Sequence, residues 1–261
     1  MKLITSKDNP LYKDLKQLAT SSQARRKSGR TMLDGVHLCQ VYLHQIGAPF
    51  LAVVNESSLT NPEVVSLLGM CETKHGQCIT LPDALYHNLS QVENGIGLLF
   101  VIDTPKNATS YELRHSAVML DNLQDPGNLG SILRSAAAAG IQNVFCSKGT
   151  AFAWSPKVLR AGMGAHFLLN IVENVDLAAM LTSAEIPVLA TSSHAAMRVY
   201  DVDLNRPVVW LFGHEGQGVS EELQALATHQ VAIPHLGNME SLNVAASAAV
   251  CFFEQVRQRS N

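Results

Sequence analysis

Short apolar runs alternate with segments of helical spacing along most of this chain. In the first half, Leu38 to Leu43 and Pro62 to Leu68 carry apolar residues at helical spacing, and Phe50 to Val54, Cys78 to Leu81 and Leu98 to Ile102 read as strands. Pro82 to Leu89 reads as a helix with proline at its start, where the missing N–H costs nothing. Residues 8–28 form a basic helical extension ahead of this, and from Thr31 the pattern is that of a small α/β sandwich. The polar segment Asp103 to Glu112, DTPKNATSYE, is the expected linker, which divides the chain into domains 1–110 and 111–261.

In the second half the alternation becomes regular. Strands are expected at Val118 to Leu120, Asn143 to Cys146, Phe167 to Val172, Val188 to Ala190 and Val208 to Phe212, with a short one ending at Ile233-Pro234. Helices are expected from Pro126, capped by Asp125, to Gly140; from Ser155-Pro156 through Met163; and from Val175 to Ala184. Another follows Ser220, a candidate cap with Glu221 and Glu222 in the first turn, and the last begins near Ser241-Leu242-Asn243. Strands and helices of this length in strict alternation imply a parallel sheet covered on both faces. In such sheets ligands bind in loops at the carboxyl edge of the strands.

Three stretches fall at such loops. The first runs from Leu120 to Arg134, LDNLQDPGNLGSILR; Asn128 and Arg134 are six positions apart, a little under two helical turns. An amide and a fixed cation there suit a phosphodiester or a sugar. The second, Phe212 to Gly218, has glycines in the order GxxGxG. It does not meet the GxGxxG dinucleotide fingerprint, and no GxxxxGK[ST] phosphate loop occurs in the chain. His214-Glu215 does not begin an HExxH pair, and the other histidines, His229 and His235 included, lack ligand spacing, so no metal is expected. The third stretch runs from Ile233 to Ala245. The helix behind it begins AASAAV, and such small side chains let another backbone approach closely.

Composition adds a partner. Residues 1–30 hold eight Lys/Arg against Asp8 and Asp14, whereas the remainder holds eleven basic and twenty acidic residues. A basic head on an acidic body suits a polyanion held at one end. No apolar run is long enough to span a bilayer, and the first residues lack a signal-peptide core. Five scattered cysteines without a CxxC pair fit reduced thiols in the cytoplasm.

Together the three stretches resemble the three motifs of the SpoU/TrmH family of RNA ribose 2′-O-methyltransferases, in the SPOUT superfamily. The matching residues are Asn128 and Arg134; Gly213, Glu215 and Gly218; and Ile233-Pro234, Gly237 and Ser241-Leu242-Asn243-Val244. Leu159 to Phe167, LRAGMGAHF, resembles a further family segment, and Gly35-Val36-His37-Leu38 is the clearest piece of a looser match to the family's substrate-binding domain. His214 departs from the pattern, standing where Asn or a small residue is more common, and His235 stands where Met is usual.

The resemblance implies an α/β fold whose C-terminal methyltransferase domain is a trefoil knot with a parallel sheet, the final helix threaded through a loop. It implies S-adenosylmethionine as cofactor, held by Thr191, Gly213, Gly218, Ile233 and Leu242, mostly through main-chain groups. It implies Arg134, Asn128, Glu215, Ser241 and Asn243 as the catalytic set, with Arg134 holding a phosphate and stabilising the developing alkoxide, and the others orienting it and the ribose. A homodimer acting on RNA is expected, with rRNA favoured over tRNA. Methylation of a base rather than a ribose, or RNA binding without catalysis, are the rival expectations.

Overall fold

The computed structural model describes residues 1–92, 95–105 and 113–260. The expected linker therefore lies largely outside the described residues. The chain divides into two compact units, Met1–Lys106 with Trp154–Phe167, and Asn107–Ala153 with Leu168–Asn261. The second stretch of the first unit is a departure from a single boundary near residue 110. The helix opened by Ser155-Pro156 belongs with the N-terminal sheet, not with the sequence around it.

The first unit begins with β1 (Lys2–Leu3), α1 (Pro10–Thr20), α2 (Ser22–Ser28), β2 (Arg30–Asp34) and α3 (Val36–Gln45). It continues with β3 (Leu51–Asn55), α4 (Pro62–Thr73), β4 (Cys78–Leu81), α5 (Asp83–His87) and β5 (Leu98–Asp103). Its five strands take the order β1-β4-β3-β5-β2, with β5 antiparallel to both neighbours. The basic extension is two helices, α1 and α2, each opened by a side-chain cap from Asn9 and Ser21. Strand β2 is absent from the hydropathy reading because its sequence, RTMLD, mixes polar and apolar residues. Its polar groups are nevertheless buried and partnered. Thr31 Oγ1 donates to the Trp154 carbonyl at 2.6 Å, and Asp34 accepts from Ser90 Oγ and the Gln91 N–H.

The second unit holds β6 (Ala117–Leu120), α6 (Pro126–Ala138) and β7 (Asn143–Ser147). After α7 (Pro156–Gly162), which clusters with the first unit, come β8 (Asn170–Val175), α8 (Leu177–Leu181), β9 (Val188–Thr191), β10 (Met197–Arg198), β11 (Val209–Phe212), α9 (Glu221–Leu226), β12 (His229–Ala232) and α10 (Val244–Arg259). Seven strands in the order β10-β12-β9-β11-β6-β7-β8 are all parallel, as the alternation predicts. Strand β8 starts three residues later than expected because residues 165–167 form a 3-10 turn.

Both faces of the sheet are covered. Val209 and Leu211 of β11 point into a core with Leu177, Leu181 and Leu223. Trp210 and Phe212 point the other way, and both pack against Phe252 of α10, with ring centroids 6.5 and 5.6 Å away. The buried Trp210 indole N–H donates to Gln255 at 3.1 Å, so the polar groups that α10 buries there are paired. α10 also packs on α6, which accounts for the alanine-rich sequences of both helices. Among the described residues, no helix is long and apolar enough to cross a membrane.

Candidate active site

Parallel neighbours end at one edge, so β9, β11, β12 and β6 deliver their following loops to a single rim. Thr191 closes β9, Gly213 follows β11 directly, and Ile233 follows β12. The strands are in register there, with Val231 opposite Thr191 and Leu211 opposite Ala190. Thr191 Oγ1 donates to the Leu211 carbonyl at 3.1 Å and ties two of the strand ends together.

The loop after β11 is a tight ring. His214 and Gly218 exchange two main-chain hydrogen bonds, at 2.9 and 2.8 Å. A Cβ on Gly213 would lie 2.0 Å from the Gly218 carbonyl carbon and oxygen, so only glycine fits. Gly218 closes the ring with φ at 72°, in the left-handed region. His214 braces it from inside, its Nδ1 accepting from the N–H groups of Gly216 (3.0 Å) and Gln217 (3.3 Å). The ring is fastened to the loop after β6 by the Ser220 N–H, which donates to Asp121 at 2.9 Å. Ser220 sits at the cap position of α9, but its side chain makes no cap bond.

This ring aims Glu215 at the first turn of α6. Its carboxylate accepts from the N–H groups of Asp125 (2.9 Å) and Gln124 (3.3 Å) and from Asn128 Nδ2 (3.2 Å). Partial burial raises the Glu215 pKa, but those bonds and one from its own backbone outweigh it and hold the carboxyl below its ordinary value. A carboxylate so occupied is an anchor, not a proton acceptor. Asn128 Oδ1 in turn accepts from Asn243 Nδ2 at 2.9 Å. Asn243 is the N-cap of α10, its Oδ1 accepting from the Ala245 and Ala246 N–H groups. Each amide's orientation is thus dictated by its neighbour, running from the α10 cap through Asn128 to Glu215. One N–H on each amide is left over for a ligand.

Asn128, Glu215 and Asn243, three of the five expected catalytic residues, are therefore hydrogen-bonded to one another. Arg134 is not joined to them. It lies exposed about 9 Å farther along α6, with no hydrogen bond or ion pair among the described residues. Ser241 and Leu242 lie in the exposed loop before α10. From Ile233 to Leu242 that loop makes no hydrogen bond among the described residues, while Leu236 and Met239 stand fully or largely exposed. Its main-chain donors and acceptors are available to a ligand at the rim. Sequence reasoning missed Asp121 and the bracing His214. The Gly216 two positions beyond His214 was the available sign of a side-chain-capped turn.

The SpoU rRNA Methylase family model matches residues 115–253, more than half of the chain. An uncharacterized tRNA/rRNA methyltransferase of Synechocystis is 35% identical over 98% of this chain and 94% of its own. The protein belongs to the SpoU rRNA methylase family. A 23S rRNA (guanosine(2553)-2′-O)-methyltransferase of Bacillus subtilis is 27% identical over 97% of this chain and 98% of its own. Among solved structures, an RNA 2′-O ribose methyltransferase superposes with a TM-score of 0.84 at 29% identity, over 99% of this chain and 100% of the other. An AdoMet-bound rRNA methyltransferase from Sinorhizobium meliloti gives 0.84 at 26% identity, over 98% and 97%.

Two results are expected of this family member. Replacing His214 with Ala removes both bonds inside the ring, and the KM for S-adenosylmethionine should rise about five- to tenfold at nearly constant kcat. His214→Asn should restore most of the loss, because its amide oxygen can accept the same N–H groups; steady-state kinetics on the three proteins checks this. A depressed folded pKa means that Glu215 stabilises the fold fully above the unfolded carboxyl value, and that this is lost as pH falls through the folded one. The Tm gap between wild type and Glu215→Gln should therefore be full at neutral pH and close below roughly pH 4.

Proposed function

We propose that the protein methylates a ribose 2′-hydroxyl in rRNA with S-adenosylmethionine as donor. The observation that carries this is the chain of hydrogen bonds from Asn243 through Asn128 to Glu215, on the same rim as the Gly213 ring. When bound, the cofactor supplies a methyl group activated by positive sulfur. The strand ends at Thr191, Gly213 and Ile233, with the unpaired main chain up to Leu242, suit it: they offer close, preformed backbone donors and acceptors. Gly218 shapes that ring.

The protein's own task is alignment and charge. The spare N–H groups of Asn128 and Asn243 position the sugar. Arg134, with its planar fork of donors, pairs with the adjacent phosphate and stabilises the oxygen as its negative charge develops. Ser241 lies two residues before the α10 cap and completes the set. The B. subtilis relative's substrate favours rRNA over tRNA.

Threading of α10 through a knot fits its packing on α6 and its bond to Asn128. A homodimer fits the exposed Leu236, Met239 and Phe253, and the cytoplasm fits an rRNA substrate. The division into an RNA-binding domain, 1–110, and a methyltransferase domain, 111–261, belongs to the same reading, with Trp154–Phe167 grouped with the first of them.

The test is to incubate the protein with unmodified 23S rRNA transcript and S-adenosylmethionine, digest the RNA and analyse its nucleosides by mass spectrometry. A ribose-methylated nucleoside is expected. A methyl group on a base, or none, would overturn the reading.

A further inference from the structure

We propose that one rim of the five-stranded sheet is a binding surface for unpaired RNA, an inference that rests on the reading of this chain as acting on RNA. Strands β2 and β3 both run antiparallel to β5, so their first residues and the last residue of β5 share a rim. Strands β4 and β1 are parallel to β3 and begin there too.

That rim collects much of the basic charge at the start of the chain. Arg26 and Lys27 sit in the last turn of α2, and the Gly29 carbonyl that follows accepts from the Thr104 N–H just past β5, at 2.8 Å. Arg30 opens β2, Lys2 opens β1, and Lys74 stands in the turn before β4, where the Gln77 carbonyl accepts from the Ala52 N–H at 2.8 Å. Lys2, Arg26, Lys27 and Lys74 are exposed. Of the nearby carboxylates, Glu72 lies in the last turn of α4, and Asp103 is already paired with Arg30 at 3.0 Å. The opposite rim instead carries Asp34, Glu56 and Asp83 at its strand ends.

A row of cations would serve any polyanion; the aromatic among them narrows the choice. Phe50, directly before β3, is 40% exposed, and the Arg30 guanidinium carbon lies 3.3 Å from its ring centroid. The pair, locked by Asp103, is a flat, charged and rigid surface. An unpaired base stacks on such a surface, whereas a base held inside a duplex cannot reach it. Lysines on either side follow the backbone.

The test uses the full-length protein and the anisotropy of a labelled single-stranded RNA of roughly 20 nucleotides, longer than one such site needs. Lys27→Gln/Lys74→Gln should weaken binding on the order of tenfold and reduce the slope of log affinity against log salt by about 1.4. Phe50→Ala should weaken it about tenfold, while Phe50→Trp keeps it near wild type. Calorimetry with S-adenosylmethionine should be unchanged in every variant, which shows that each is folded. Wild-type affinity in the lysine variant, or a Phe50→Trp protein as weak as Phe50→Ala, would overturn the proposal alone. A wild-type protein that leaves ribose unmethylated would overturn the reading beneath it.

Discussion

Arg134→Ala should abolish ribose methylation, by a factor on the order of 10² to 10³ or more, while S-adenosylmethionine still binds within about twofold of wild type. The side chain is exposed on α6 and has no bond to another described residue, so its removal should cost little stability. Any loss must then come from what the guanidinium does to the substrate. It does not take the proton from the sugar, because a guanidinium offers five N–H donors and no acceptor. It can hold a phosphate and oppose charge growing on the neighbouring oxygen. Arg134→Lys should recover only a small part of the rate, since a point charge does not reproduce the planar fork. Single-turnover methylation of 23S rRNA transcript, with calorimetry of cofactor binding beside it, measures both halves. Cofactor affinity that collapses together with activity would remove Arg134 from its assigned place.

The second large effect is expected at Gly213. A methyl group there meets the Gly218 carbonyl at 2.0 Å and the Val219 nitrogen at 2.1 Å. Those are main-chain atoms in a ring closed by two hydrogen bonds, so they cannot turn aside as a side-chain tip would. Gly213→Ala must open the ring, displacing Glu215 from the α6 first turn and the β11 strand end from its neighbours. Stability should fall by about 1–3 kcal/mol, and cofactor affinity by at least about a hundredfold, a penalty of some 2.7 kcal/mol. Calorimetry and thermal melting read the two separately. A Gly213→Ala protein that binds the cofactor normally would show that this loop is not its seat.

These expectations were legible to different degrees. The central strands announced themselves, because a strand buried on both faces is a nearly unbroken apolar run; β6, β9 and β11 were placed within a residue. The cap at Asp125 was visible from a short polar residue ahead of apolar spacing, whereas Ser220, read the same way, makes no side-chain cap bond. Strand β2 was not. Thr31 and Asp34 are polar residues made acceptable inside by Trp154, Ser90 and Gln91, partners distant in sequence. The two-residue strands β1 and β10 were too short to carry any period.

The candidate site shows the same division. Its residue types and their spacing were present in the chain, and three of them do meet. His214 looked like a departure from the family pattern, yet its ring nitrogen braces the loop that presents Glu215.

Local pattern determined most of the helices and the longer apolar strands, that the second sheet is parallel, and which loops reach its carboxyl edge. Each of these follows from side-chain polarity and backbone preference over a few residues. The tertiary structure alone decided that Trp154–Phe167 joins the N-terminal unit, and that Asn243, Asn128 and Glu215 form one hydrogen-bonded line. It also decided that the Gly213 ring admits no side chain. Those facts depend on groups up to 123 positions apart meeting within about 3 Å, and no local pattern encodes such meetings.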